Sequence, residues 1–487
     1  MYINPFSQLS NPSGIHFIGI GGIGMSGLAQ VYVQMGWHVT GSDRAIDNPE
    51  NQEIFEKLKE NGISLYPQDG SVYQHENTPD VLVHSTAIED DNPDFLLAPK
   101  NAIRIHRSQA LAACINAFPD RPVLAVAGTC GKTTVSAWLS DALYRLNTNP
   151  GELVGGAVKC FRNRKEIGNG RLGASHAPFV IEADESDKSL FNYTPDVAII
   201  LNIGTDHYSR KELCDVFRKF ANSAKKAAII QEEAYLEIGP DTFTQDNILI
   251  FSDNMDSARK YGGHSVFLLQ DYYIHERKCF CNVNGEQNIE LPMPGKHNAM
   301  NALAVFACLE SCGYDAEQSL QAISKFTGVA RRYDKLGNTA NGAAVIDDYA
   351  HNVEKICSCI KAAQESVGKE ANIYAVFQPH GFKALGFMRE EFIRKLPKIL
   401  RENDRFYFLP VYYAGGTTSF SPTSEEIVRE CKTNSSHPEQ IHYASNRDSL
   451  QKILQNDTKQ GDIILIMGAR DNSLPVFGES LCMHEKK

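Results

Sequence analysis

Residues 123–134 read Val-Leu-Ala-Val-Ala-Gly-Thr-Cys-Gly-Lys-Thr-Thr, and no other segment narrows the choice of fold as far. The apolar run Val123 to Ala127 predicts a buried strand, and the glycines that follow predict a turn. From Thr133 to Leu146, helix-forming residues with apolar spacing predict a helix. Such a turn aims successive backbone N–H groups, and the positive end of a helix, at one point. Phosphates bind there. Lys132 would reach the β and γ phosphates of a nucleoside triphosphate, and the Thr133 hydroxyl would ligate the Mg²⁺ that bridges them. The spacing is the short form G-T-x-G-K-T-T, because Val126 stands where the longer phosphate-loop pattern has glycine. A glycine-bearing turn with no ligand is the alternative.

A second glycine motif lies near the N-terminus. The apolar strand candidate Ile15 to Ile20 runs into Gly19-Ile20-Gly21-Gly22-Ile23-Gly24, which fits G-x-G-x-x-G and opens a helix candidate reaching about Met35. A strand at Trp37 to Thr40 then leads to Asp43. By itself this is the dinucleotide fingerprint, with backbone approaching a pyrophosphate and an acid placed for a ribose. Three readings stay open on these residues: NAD, no ligand, or the diphosphate of a UDP-linked substrate. An ATP loop and a separate diphosphate loop in one chain favour the last.

At 487 residues the chain is too long for one ordinary core, and three domains is the natural division. Strand–helix alternation throughout predicts α/β domains with largely parallel sheets. The first unit spans 1–118, the second 119–330 and the third 331–487. Asn116 to Pro122 reads as a linker between the first two. The third has strand candidates at Ala343 to Ile346, Ile373 to Phe377, Arg405 to Leu409 and Ile463 to Met467. A net charge of −11 argues against a general binder of nucleic acid or anionic membrane. None of the 12 cysteines falls in a C-x-x-C zinc spacing, and no apolar run approaches membrane-spanning length. The expectation is a cytoplasmic chain with no membrane insertion. Nothing in the sequence speaks to oligomeric state.

Several further clusters carry chemistry. Val180-Ile-Glu-Ala-Asp-Glu-Ser-Asp187 puts four carboxylates at the end of an apolar strand, where open α/β sheets place ligands. Mg²⁺ would offset their repulsion, and a solvated acidic loop is the alternative. The strand candidate Val197 to Ile203 ends near His207, a candidate metal ligand beside the phosphate strand. Asn298 and Asn301 share one face of an Ala-rich helix and could read an adenine edge or merely cap it. Arg331 and Arg332 could meet a phosphate. Asp347-Asp-Tyr-Ala-His351 and Phe377-Gln-Pro-His380 both follow apolar strands, suggesting a shared site.

These segments, in this order, resemble the Mur ligase family, ATP-dependent enzymes of peptidoglycan synthesis that add amino acids to a UDP-linked muramic acid. The resemblance covers nearly the whole chain. It implies a Rossmann-like N-terminal domain, a central P-loop ATPase-type domain with a mainly parallel sheet, and a Rossmann-like C-terminal domain. Gly19, Gly21, Gly22, Gly24, Asp43 and Ser85 would then hold the UDP-sugar. Gly128, Thr129, Cys130, Gly131, Lys132, Thr133 and Thr134 would hold the ATP phosphates, with Asn298 at adenine and Arg332 and Asp348 at the nucleotide. Thr133, Glu182 and His207 would ligate Mg²⁺, and Lys132, Glu182 and His207 would be catalytic. Tyr349, His351 and His380 would receive the amino acid. The motifs are nearest those of the branch that joins L-alanine to UDP-N-acetylmuramate, and a sister branch that attaches murein tripeptide shares several.

The chain departs from that pattern in three places. Cys130 stands where His, Asn or Lys is usual, and Asn352-Val353 follows His351 where Pro is common. After His380 the alanine-adding branch continues with two arginines; here Gly381 and Ala384 replace them, and Lys383 is the nearby cation. The amino-acid preference is therefore the open question. An NAD-dependent oxidoreductase would leave the phosphate loop and acidic cluster without a role. A non-catalytic UDP-sugar binder would need no metal ligands.

Overall fold

The computed structural model describes residues 14–75, 78–186, 189–204, 208–261, 264–285, 288–368, 370–413 and 420–483. Strands and helices alternate along the chain and build three sheets. The first contains β1 (Gly14–Ile18), β2 (His38–Ser42), β3 (Ser64–Tyr66), β4 (Val81–His84) and β5 (Ile103–His106). It is parallel throughout in the order β3-β2-β1-β4-β5, the winding of a Rossmann-like half.

The second sheet takes β6 (Val123–Ala127), β7 (Gly151–Leu153), β8 (Gly170–Arg171), β9 (Phe179–Glu182) and β10 (Val197–Ile200). It continues with β11 (Ala227–Gln231), β12 (Ile248–Ser252), β13 (Ser265–His275), β14 (Lys278–Val283) and β15 (Asn288–Leu291). Their order is β15-β14-β13-β12-β11-β10-β6-β9-β7-β8, and the ladders from β13 across to β7 are parallel. All residues of β6 and β10 are buried, which explains their uninterrupted apolar sequences. The turn between β13 and β14 is made by Glu276 and Arg277, both at positive φ (49° and 64°). Left-handed backbone at both central residues suits the type I′ hairpin, but without Asn-Gly the sequence did not announce it.

The third sheet is β16 (Asp334–Asn338), β17 (Ala344–Asp348), β18 (Ile373–Gln378), β19 (Arg405–Phe408), β20 (Ile441–Tyr443) and β21 (Ile463–Gly468). Its order is β16-β17-β21-β18-β19-β20, parallel except for the β16 edge.

The chain divides into two compact units. One comprises the residues up to 272 with 281–292 and 297–328; the other comprises 273–280, 293–296 and 329–487. In the first unit, residues of the first two sheets share one core, from Ile15 and Phe17 to Ile181, Ile200 and Ile250. The helix Ile23–Gln34 locks them together. Asn169 donates to Ser26 Oγ (2.9 Å) and accepts from Gln30 (3.0 Å). Gly27 lies so close to the β8 region that a Cβ on it would sit 2.8 Å from the Asn169 carbonyl oxygen. A larger residue there would push the helix off the second sheet.

Candidate functional site

Gly128 and Gly131 leave the end of β6 at φ +136° and +89°. A Cβ on Gly128 would come within 3.2 Å of the Asn202 backbone nitrogen, so the loop cannot carry a side chain there without moving. Asn202, just beyond β10, braces the loop. Its Oδ1 accepts from Cys130 N (2.8 Å), its Nδ2 donates to Cys130 O (2.9 Å), and its carbonyl accepts from Thr129 N (3.3 Å). The Cys130 side chain is exposed, and its substitution leaves this backbone bracing intact. Asn202 is a positioning residue that its sequence context did not reveal, because only sheet order puts β10 beside β6.

The helix Lys132–Arg145 follows directly. Lys132 Nζ donates to Gly128 O (2.8 Å) and to both Glu185 oxygens (2.9 and 2.8 Å). Burial works against the charged ammonium, but Glu185, then Glu182 and Asp184, outweigh it and raise the Lys132 pKa. Glu185, 4% exposed, is pushed up by burial and held back by Lys132. Thr133 Oγ1 donates to Glu182 Oε2 (2.9 Å), and the Gly155 amide donates to the same oxygen (2.8 Å). Thr134 continues the first helical turn. A Cβ on Gly155 would lie 2.6 Å from Glu182, so only glycine fits beneath it.

The cluster therefore splits its labour: Glu182 faces Thr133, and Glu185 faces Lys132. A hydroxyl and a carboxylate meeting beside a phosphate loop are hard oxygen donors suited to Mg²⁺, which completes its shell with water and phosphate oxygens. Among the described residues, no three His, Cys, Asp or Glu side chains form a metal-holding group by themselves. His207 lies outside the described residues. Asn298 is buried, and its Oδ1 accepts from Asn301 Nδ2 (3.3 Å). Asn301 in turn reaches the phosphate loop, its Oδ1 3.1 Å from where a Gly131 Cβ would stand.

The N-terminal loop is tied together by its acidic residue. Asp43 Oδ2 accepts from Gly21 N (2.8 Å), and its Oδ1 accepts from Ala45 N (2.9 Å), so the carboxylate braces the glycine turn. Gly19 takes φ +77°, and Gly22 N donates to Gly19 O (3.1 Å). Gly24 faces Arg107, whose Nη1 lies 2.9 Å from a hypothetical Cβ. The same guanidinium is 3.7 Å from Asp184. Arg107 thus spans the glycine loop and the acidic cluster, a link between two segments that the sequence presents as separate motifs. Half-buried Ser85, past β4, accepts from Ala87 N (3.4 Å).

In the second unit, Arg331 donates to Gly468 O (2.7 Å) and lies 3.4 Å from Asp347. Burial raises the Asp347 pKa to about 7, with Arg331 only partly offsetting it. Asp348 accepts from Tyr333 N and Ala350 N, both at 2.7 Å. The Arg331 and Arg332 guanidinium carbons each lie 5.1 Å from the Tyr349 ring centroid. The rings continue as a row: Tyr349 to His351 at 5.5 Å, and His351 to His380 at 5.5 Å. Burial, then Lys355, lowers His351 to about 4; burial, then Arg470, lowers His380. Both shifts favour the neutral imidazole. Lys383 lies 5.9 Å from the exposed Phe387 ring. Arg470 is a cation near His380 that the sequence reading did not find.

Three family models match the chain: Mur ligase family, catalytic domain, over residues 14–119; Mur ligase middle domain, over 126–309; and Mur ligase, glutamate ligase domain, over 331–470. The UDP-N-acetylmuramate–L-alanine ligase of Carboxydothermus hydrogenoformans is 31% identical over 473 residues, covering 93% of each chain. That of Renibacterium salmoninarum is 32% identical over 475 residues, covering 95% of this chain and 94% of its own. Among solved structures, the UDP-N-acetylmuramate–alanine ligase of Thermotoga maritima superposes with a TM-score of 0.76 at 25% identity, over 96% of this chain and 98% of its own. A murein peptide ligase from Psychrobacter arcticus shares the fold at a TM-score of 0.66 and 20% identity, with the same coverage.

Proposed function

This chain belongs to the Mur ligase family, and from that premise we propose that it joins L-alanine to the lactyl carboxylate of UDP-N-acetylmuramate at the expense of ATP. The observation that carries this reading is the pairing of a phosphate-loop lysine and threonine with carboxylates from the neighbouring strand end. Relatives named for the alanine ligation match over 93–95% of the chain.

The lactyl carboxylate attacks the γ-phosphorus of ATP and ADP leaves. The amine of alanine then attacks the acyl phosphate, and inorganic phosphate departs as the amide forms. Lys132 neutralises charge that spreads over the transferring phosphoryl oxygens. Backbone amides of residues 128–134 hold the phosphates, and Asn298, Arg332 and Asp348 are assigned to the nucleotide. Thr133 and Glu182 would hold Mg²⁺, which supplies Lewis-acid polarisation of phosphate oxygens when bound. We assign His207 to the same metal chemistry on the family resemblance alone.

Gly19, Gly21, Gly22, Gly24 and Ser85 are assigned to the UDP-sugar, with Asp43 shaping the turn they form. Tyr349, His351 and His380 are assigned to the amino acid. The corresponding domains are 1–118, 119–330 and 331–487. No described helix is long and apolar enough to cross a membrane. Dependence on ATP and a UDP-linked substrate favours a cytoplasmic site of action.

The test is phosphate release with ATP and UDP-N-acetylmuramate against single amino acids and murein tripeptide. L-Alanine should be used best, with glycine and L-serine as appreciable competitors, since a methylene or hydroxyl is worth only about 1–3 kcal/mol in such a pocket. Strong preference for the tripeptide or for a large or acidic amino acid would move the chain to another branch.

A further inference from the structure

An amino acid that attacks through its amine brings its α-carboxylate into the site intact, and that charge needs a partner as water is excluded. The chain continues from His380 as Gly-Phe-Lys-Ala with no arginine before Arg389, and Lys383 is directed at Phe387. The strand register brings a different cation to this place. β18 and β21 are parallel neighbours with Gln378 opposite Gly468, so Pro379-His380 and Ala469-Arg470 leave the sheet side by side.

Arg470 holds φ +67°, a left-handed conformation costly for a residue with a Cβ. The surrounding turn enforces it. Arg447 pairs with Asp471, donates to Ser473 Oγ (2.7 Å) and to Gln378 Oε1 (2.5 Å). Asp471 Oδ1 also accepts from Ser473 N (2.9 Å) and Oγ (2.6 Å). Gly468 is packed so that a Cβ would lie 2.9 Å from the Gln378 carbonyl oxygen. The ends of β18 and β21 are thus bolted together around Arg470. Its own side chain is exposed and makes no hydrogen bond or ion pair among the described residues. A strained backbone that presents an uncommitted guanidinium beside a half-buried imidazole is a feature that packing alone does not explain.

We propose that Arg470 binds the α-carboxylate of the incoming amino acid beside His380; this rests on the ligase reading above. The guanidinium fork can hold both carboxylate oxygens, as Lys383 cannot. The substrate class follows: free α-amino acids, with little selection exerted on the side chain by this contact.

The experiment compares wild type, Arg470→Gly and Arg470→Lys with L-alanine and with L-alaninamide, whose neutral amide lacks the anion. Glycine relieves the left-handed backbone, so Arg470→Gly should fold with an unchanged or higher Tm. Its KM for L-alanine should rise on the order of 10- to 100-fold, while KM for ATP and the UDP-sugar stays within about twofold. KM for alaninamide should not move, and Arg470→Lys should lie between. An alanine KM within about twofold of wild type in Arg470→Gly, or a parallel rise for alaninamide, would overturn the proposal. Wild type inactive with every free amino acid would instead overturn the ligase reading on which it stands.

Discussion

Lys132 and Glu185 form a two-pronged ion pair, half-buried at the lysine and buried at the glutamate, the ammonium 2.9 and 2.8 Å from the two carboxylate oxygens. They lie 53 residues apart in the chain and meet because β9 is hydrogen-bonded directly to β6. The pair keeps the phosphate-loop lysine charged and aimed along the loop while no phosphate is present. A γ-phosphate carries more charge than one carboxylate and can draw the ammonium over.

Lys132→Ala should lower kcat by on the order of 10²–10³ or more, since one charge-stabilising contact is lost at the transferring phosphate. It should also lower Tm, because Glu185 would be left buried without its partner, at a cost of about 1–3 kcal/mol. The double variant Lys132→Met/Glu185→Gln should recover Tm but not turnover. Thermal unfolding beside phosphate-release kinetics checks both halves, and near-normal kcat in either variant would sink the ATP assignment.

Glu182→Gln keeps the shape beside Thr133 and Gly155 but removes a charge. The Mg²⁺ concentration needed for half-maximal rate should therefore rise as kcat falls. Glu185→Gln should shift the Mg²⁺ requirement less, since that carboxylate faces Lys132. Titrating Mg²⁺ at saturating ATP distinguishes them; equal shifts would mean that the roles within the cluster are assigned wrongly.

Gly21→Val should raise KM for the UDP-sugar far more than KM for ATP. A Cβ on Gly21 would lie 2.9 Å from Asp43 Oδ2 and 3.1 Å from Phe55, so the turn must move and its amides with it. Initial rates with each substrate varied in turn provide the check. Weakened ATP use with unchanged UDP-sugar use would reverse the assignment of the two loops.

Glu152, on β7, is fully buried, and neither carboxylate oxygen has a well-formed hydrogen bond, Ser140 being its nearest weak donor. Burial raises its pKa to about 8, offset only in part by Ser140 and Arg171. A carboxylate whose pKa is higher folded than unfolded binds more protons in the native state. Its contribution to stability is present at low pH and is lost as pH rises from about 4.5 to about 8, by up to about 1.4 kcal/mol per unit. Glu152→Gln should flatten that slope and leave the variant more stable than wild type at pH 8. Denaturant unfolding at pH 5 and pH 8 measures it, and an unchanged slope would refute the assignment.

Much of this was legible in the chain itself. The apolar runs at Val81–His84 and Val123–Ala127 became strands over those residues, and the glycine turns after β1 and β6 open helices where their motifs say they should. These signals are local: a buried parallel strand must be apolar throughout, and a phosphate-type turn needs its glycines contiguous with the helix it starts. The β13–β14 hairpin was not legible, because Glu276 and Arg277 carry no turn preference and are held at positive φ by the strands they join.

The sequence by itself determined the α/β class, the order of the elements and the residue types that carry the chemistry. Only the tertiary structure decided how those residues are paired. Glu185 was assigned to Lys132; Asn202 was set as the brace of a loop 72 residues away; Asp43 was turned onto the Gly21 amide. Arg470 was brought beside His380 by the β18–β21 register. A motif fixes which groups a strand end carries. Which groups face one another depends on strand order and register, and these are set by burial of the whole sheet, to which every strand contributes and which no single segment encodes.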